Sequence, residues 1–282
     1  MGHQATLASF LRARRDLVRP DDVGLHNYGR RRVSGLRRAE VAQLAGISVE
    51  YYLRLETGRD AQPSDQVLRG LARALQLSDD ATEYMHNLVN RSASVLRPNV
   101  QLDPHLESLI HAWPTPAYVQ SPDMTIQLSN VGAQTLSPFF ASGVNLLKAT
   151  FLDAKLQQAL RNWDSLTDVL VKQLRFMTST ARRDDKPLAK LIDEVSGSKR
   201  FCTLWERHEV QRKTTGQAFF SHPDLGPVDF VYRTLVIPES QHTIVSYFAS
   251  ACQEARDTLP ALASAGLMPT TGSGSELSGH RS

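Results

Sequence analysis

The segment from Arg37 to Gly58 constrains this chain more than any other. Val41, Leu44 and Ala45 recur at helical spacing, Gly46 interrupts them, and Ser48 opens a second periodic run that carries Tyr52 and Leu55 as far as Gly58. A glycine in the left-handed conformation stops one helix. A serine two residues later caps the next, with Glu50 well placed in its first turn. Ala42 is small where two such helices must cross, and Ile47 and Leu55 are apolar where the second must dock on the first. A second helix docked in this way projects its first residues into a DNA major groove, where each base pair presents its own pattern of donors and acceptors. The expected base-contacting residues are Ser48, Val49, Glu50, Tyr51 and Arg54. Glu50 would accept from a cytosine amino group and Arg54 would donate to guanine, while Val49 or Tyr51 would pack on a thymine methyl.

An ordinary helical bundle can show the same spacing, so the charge around it matters. Residues 1–97 hold 15 Lys and Arg against 11 Asp and Glu, whereas residues 98–282 hold 17 against 18. The excess is concentrated between Arg30 and Arg38, a nine-residue stretch with five arginines and no acid. Arg30, Arg31, Arg32, Arg37, Arg38 and Arg59 are therefore the expected phosphate contacts, positioning the protein and carrying most of its salt dependence. The plainer reading of Arg30 to Arg32 is a solvated loop.

Five short helices fit residues 1–95: about Thr6 to Arg15, Arg37 to Ala45, a third from Ser48, a fourth from Ser64 and a fifth from Ser78. On the first, an apolar stripe of Leu7, Phe10 and Leu11 opposes a basic one that includes Arg14. A linker at 96–103 leads to a second domain at 104–268, and a Gly- and Ser-rich tail at 269–282 is expected to be disordered. The second domain mixes periods. A short hairpin fits around Ser121, Pro122 and Asp123, and one long amphipathic helix fits Asp153 to Met177. Further helices fit Lys186 to Val195 and Lys199 to His208, and strands fit Ala218 to Ser221, Val228 to Val236 and Thr243 to Phe248. The expected fold is an all-α bundle followed by an α+β domain that closes with an antiparallel meander.

Two cysteines in 282 residues make no disulfide framework, and no apolar run approaches the roughly 20 residues that span a bilayer. A cytoplasmic protein without membrane contact is expected. GxSxG, HExxH, Walker and paired CxxC motifs are missing, Cys202 and His208 are badly spaced for a thiol catalyst, and His105 and His111 are too isolated to argue for a metal. Neither an enzyme nor a cofactor is expected, unless catalytic residues assemble from distant segments.

The segment LRRAEVAQLAGISVEYYLRLETGR, Leu36 to Arg59, resembles the helix-turn-helix of the Xre and lambdoid phage repressor superfamily. The resemblance implies that Arg38 binds phosphate and that Val49, Glu50 and Arg54 read bases. The opening FLRARRDLVRPDDVGL, the GRRRVSGLRRAEVAQLAGISVEYYLRLETGRDAQPS block, TPAYV and WERHEV resemble MmyB-like bacterial regulators. That resemblance implies a lambda-repressor-like, Xre-type helix-turn-helix bundle joined to an α+β PAS-like ligand-binding domain associated with a fatty-acid-like ligand. After its second strand this chain has Ser129 and Asn130, where the family usually places an aromatic residue and Asn. A carboxylate ligand would want Arg or His at its polar end and aromatics along its tail. Tyr118, Trp205, His208, Arg212, His222 and Tyr232 are the expected ligand contacts. The expected partners are an operator in double-stranded DNA, a small apolar ligand and a second copy of the chain in a homodimer. A C-terminal domain used only for dimerisation or protein interaction is the alternative, and a DNA-tethered enzyme is a weaker one.

Overall fold

The computed structural model describes residues 6–25, 35–60, 62–90, 102–180, 185–212, 214–238 and 240–249. Arg30, Arg31, Arg32, most of the expected linker and the whole expected tail lie outside the described residues.

The N-terminal part is a bundle of five helices: α1 (Leu7–Leu17), α2 (Arg38–Ala45), α3 (Val49–Glu56), α4 (Asp65–Ala74) and α5 (Asp79–Val89). Their starts follow from local chemistry. The hydroxyls of Thr6, Ser48, Ser64 and Ser78 accept from Ser9 N, Tyr51 N, Val67 N and Ala81 N, each satisfying a backbone donor that a helix leaves unpaired. Gly46 sits at φ 71° and turns α2 into α3. A short 3-10 turn, Pro20–Val23, follows α1, and the chain returns to it where Leu36 N donates to Arg15 O at 3.0 Å. Phe10, Leu11, Leu36, Tyr52, Leu55 and Leu71 are fully enclosed in one core.

The C-terminal part is an α+β domain built on a five-stranded antiparallel sheet, the architecture expected of a PAS-like domain. Its strands are β1 (Ala117–Gln120), β2 (Ile126–Ser129), β3 (Thr215–His222), β4 (Gly226–Val236) and β5 (Thr243–Ala249), in the order β2-β1-β5-β4-β3. Side chains alternate across a strand. Tyr118, Phe220, Tyr232, Val245 and Tyr247 consequently share one face and join the main core. Val119 and Ile244 take the other face, against Ile110 of α6 (Pro104–His111). The remaining helices are α7 (Val131–Leu136), α8 (Leu146–Leu152), α9 (Ala154–Ala159), α10 (Trp163–Thr180), α11 (Lys186–Val195) and α12 (Lys199–Glu206). Asn130 joins sheet to helix: its Oδ1 accepts from Ala117 N and Ala133 N, and its Nδ2 donates to Trp113 O and Thr115 O.

The long helix expected from Asp153 to Met177 is instead two, α9 and α10. Between them Leu160 bridges to Phe220, Arg161 N donates to Phe219 O at 2.8 Å, and the Asn162 side chain bonds Phe219 N and Gln217 O. The edge of β3 captures backbone groups that a continuous helix would have used itself, while Leu156 and Leu160 both stay buried. Tertiary pairing overrides a periodicity that the apolar residues still satisfy.

Candidate functional site

Two surfaces carry chemistry, and one helix connects them. The first is the outer face of α3. Ser48, Val49, Glu50 and Arg54 are exposed and Tyr51 is half-buried. The Arg54 guanidinium lies 5.3 Å from the Tyr51 ring centre, a cation–π contact that holds it beside the helix. Burial, then the charge of Asp60, raises the Tyr51 pKa, so the phenol stays a donor. Leu53, exposed on the same face one turn after Val49, was not among the expected readers. Arg37 and Arg59 are exposed, with Arg37 at the N-terminus of α2, where its own N–H donates to the Glu40 carboxylate at 2.6 Å and leaves the guanidinium, unpaired among the described residues, free for a phosphate.

Arg38 is differently placed. Its Nε is bonded to Glu56, and the other Glu56 oxygen accepts from Arg15 Nε at 2.7 Å. Arg15 also donates to Leu36 O at 2.9 Å. Glu56 is completely enclosed; burial opposes its charge, but hydrogen bonds and charge from Arg38 and Arg15 hold its pKa below the ordinary carboxylate range. Burial likewise opposes the Arg15 charge, and Glu56 more than restores it. This triad locks α1 and the start of α2 to the end of α3. Sequence reading missed Arg15 and Glu56, although Glu56 adjoins Leu55 on the inward side of α3, where a carboxylate requires a cation.

The second surface is a cavity of about 60 Å³ between the sheet and α8, α9 and α10. Tyr118, Phe140, Phe220, Tyr232 and Tyr247 supply its aromatic wall, and Leu166, Leu170 and Gln173 line it from α10. Two of the six expected ligand contacts, Tyr118 and Tyr232, lie here. The other four do not. Trp205 and His208 are held by Arg175, a fully enclosed arginine on α10 whose guanidinium carbon is 3.9 Å from the Trp205 ring centre. Arg175 also donates to Trp205 O, and its Nη1 is 3.3 Å from His208 Nδ1. Arg212 N donates to Asp80 at 2.8 Å and its side chain pairs with Glu83 at 3.3 Å, so it fastens the C-terminal domain to α5. His222 uses one ring nitrogen on Thr135 O and the other on Asp224 N and Leu225 N. Arg175, Asp80, Glu83 and Thr135 thus engage these four residues outside the cavity, at the Trp205 ring and carbonyl, His208 Nδ1, the Arg212 backbone and guanidinium, and His222 Nε2.

The helix connecting the surfaces is α10. One turn beyond Gln173 its Phe176 packs into the core of the N-terminal bundle, and Ser179 accepts from Asn87 of α5 at 3.2 Å. Arg14 belongs to the same seam: burial lowers its pKa and Glu209 opposes that, so it does not extend a solvated basic stripe. Burial and the Arg175 charge push the His208 pKa down to about 4.

Residues 102–262 match the family described as MmyB-like transcription regulator ligand binding domain, and residues 6–85 match a helix-turn-helix domain. The chain belongs to the MmyB-like transcription regulators. The bundle that presents α3 is thus its DNA-binding domain, and the sheet with its cavity is its ligand-binding domain. Compared with curated proteins, the regulator has no significant match. Among the described residues no helix is long and apolar enough to cross a membrane, and no group of His, Cys, Asp and Glu could hold a metal.

Proposed function

We propose that this chain is a sequence-specific, non-enzymatic transcription regulator of the cytoplasm whose operator affinity is set by a small apolar ligand entering the cavity against α10. The observation that carries the reading is α10 itself, which lines the cavity with Leu166, Leu170 and Gln173 and inserts Phe176 into the DNA-binding core. At about 60 Å³ the cavity is less than half of the roughly 150 Å³ that accommodates a benzene. A ligand with a fatty-acid-like chain enters only if the helices and sheet separate, so binding and movement of α10 are one event. The ligand shifts the DNA-competent population by its differential affinity for the two arrangements.

On DNA, Ser48, Val49, Glu50, Tyr51 and Arg54 meet base edges, while Arg37, Arg59 and the run Arg30 to Arg32 meet phosphates, with Arg38 held by Glu56 beside them. Two copies pair so that their α3 helices address half-sites about 34–36 Å apart. The test is to denature freshly purified protein, identify any stoichiometric small molecule by mass spectrometry, and add it back in titrations against a selected operator. A bound apolar molecule that changes operator affinity supports the reading. A small cavity also suits a domain used only for dimerisation or protein interaction; an empty protein, with operator affinity unchanged across lipids, would favour that alternative.

A further inference from the structure

We infer that the ligand of this cavity is uncharged, an apolar molecule bearing a ketone, ester, amide or lactone oxygen that the hydroxyls of Tyr118 and Tyr247 receive. This rests on the ligand reading above and narrows it, because a free fatty acid would arrive at neutral pH as a carboxylate.

The first argument is the charge of the lining. Its polar members are Tyr118, Tyr232, Tyr247, Gln120, Gln173, Thr150 and Thr234, and among the described residues no Asp, Glu, Lys, Arg or His lines it. An ion taken from water into such a place loses its hydration with no opposite charge to offset the loss. A separate groove that shares Phe220 with the cavity does hold a cation, Lys155, together with Asp153 and His222. There Asp153 sets an opposite charge beside Lys155, and His222 has both ring nitrogens bonded to the protein.

The second argument is the state of the phenols. Tyr118 and Tyr247 are buried side by side, and among the described residues their hydroxyls have only each other, at 3.5 Å. That separation is far beyond the usual 2.7–2.8 Å of an O–H···O bond. Two donors buried with so weak a partnership are under-satisfied, and a carbonyl oxygen with two lone pairs accepts from both. Burial pushes the pKa values of Tyr118, Tyr232 and Tyr247 up, which keeps all three as donors throughout the physiological range. The rest of the wall, Met124, Phe140, Leu146, Leu156 and Leu160 among it, offers only apolar contact to the body of the molecule.

The experiment compares dodecanoic acid, methyl dodecanoate and dodecane, the full-length regulator being titrated by calorimetry at pH 8 and again at about pH 5. The ester is expected to bind at least tenfold more tightly than the acid at pH 8, and more tightly than the hydrocarbon. As pH falls and the acid takes up its proton, the acid should approach the ester, whose own affinity stays level. Tyr247→Phe, in protein shown by circular dichroism to be folded, should weaken the ester five- to tenfold, and Tyr118→Phe provides a second variant should the first fail to fold. Equal or tighter binding of the acid at pH 8 overturns the inference, and loss of that binding in Lys155→Gln would put the carboxylate in the outer groove. Equal binding of ester and dodecane also overturns it. If none of the three binds, the ligand reading itself fails and takes the inference with it.

Discussion

The two domains each enclose a charged side chain, and they partner it differently. In the DNA-binding bundle, enclosed Glu56 receives hydrogen bonds from both Arg15 and Arg38, so this buried charge meets its opposites. In the ligand-binding domain, enclosed Arg175 has an aromatic face, a carbonyl and a histidine nitrogen but no carboxylate bonded to it among the described residues. Tyr118 and Tyr247 share one long contact. A reader of DNA needs its recognition helix at a fixed angle, and a completed ion network specifies one arrangement. A sensor needs two arrangements close in free energy, and incomplete polar contacts around a small void keep the closed one from becoming too deep. The physical lesson is that a buried charge met by opposite charges specifies one arrangement, whereas buried groups with only neutral or distant partners leave room for a second.

The largest effect is expected at the triad. Glu56→Gln leaves enclosed Arg15 only the half-exposed Asp16 carboxylate, 2.9 Å away, as a counter-charge and should cost up to about 3–5 kcal/mol, read as a fall in the denaturant midpoint. The wild-type triad also sets an acid limit. The Glu56 pKa is lowered on folding, so its contribution is full above the unfolded-state carboxylate pKa and is lost as pH falls through the folded value. If Glu56→Gln were neutral, the bundle would not depend on paired charge.

A matched pair of substitutions sharpens the contrast between the cores. Leu71→Phe overfills the closed bundle and should cost about 1–3 kcal/mol. Leu170→Phe projects into existing space, so it should cost less than the bundle variant and should abolish ligand binding, as measured by thermal melts and calorimetry. Comparable costs at both positions would mean that the sensor core is as tightly filled as the other.

On the DNA side, Arg54→Ala or Glu50→Ala should cost about 1–3 kcal/mol and relax base preference, whereas Arg59→Ala should weaken all sequences alike and reduce the salt slope. Binding measured across operator variants at several salt concentrations separates the two classes. Identical behaviour would contradict the division into readers and clamps.

The seam should respond to pH in a window of its own. His208 falls from an ordinary value near 6.5 to about 4, because burial and Arg175 disfavour its charged form. Its contribution is therefore full above about 6.5 and is lost as pH falls toward 4. Trp205, beneath the Arg175 guanidinium, should report this as a fluorescence change that His208→Phe removes. The smallest effect is expected from Gly216→Ala, whose Cβ would collide with the end of the Tyr232 side chain. The ring has to swing aside, at a modest cost in stability and a measurable loss of ligand affinity.

The bundle was largely legible in the sequence because its signals are local: Ser48, Ser64 and Ser78 stand where caps are needed, and Gly46 stands where the turn needs positive φ. The strands were legible from their composition and the Pro and Gly between them. What escaped reading depends on pairing across long separations. The break at Leu160 is made by β3, some sixty residues onward, and the Arg15–Glu56 contact joins α1 to α3. Trp205, His208 and Arg212 lie away from the cavity for the same reason, since Arg175, Asp80 and Glu83 engage them from distant segments. Tyr118 and Tyr232 fell in the cavity because strand alternation turns them toward the helices.

The central claim is that the cavity and the DNA-binding core are mechanically one through α10. Hydrogen exchange of the full-length regulator with and without methyl dodecanoate tests it most directly. The account predicts altered protection in α10 that continues into α5, across the Phe176 and Asn87–Ser179 contacts. Bound ligand with changes confined to the sheet, α8 and α9, and none in α5, would contradict it.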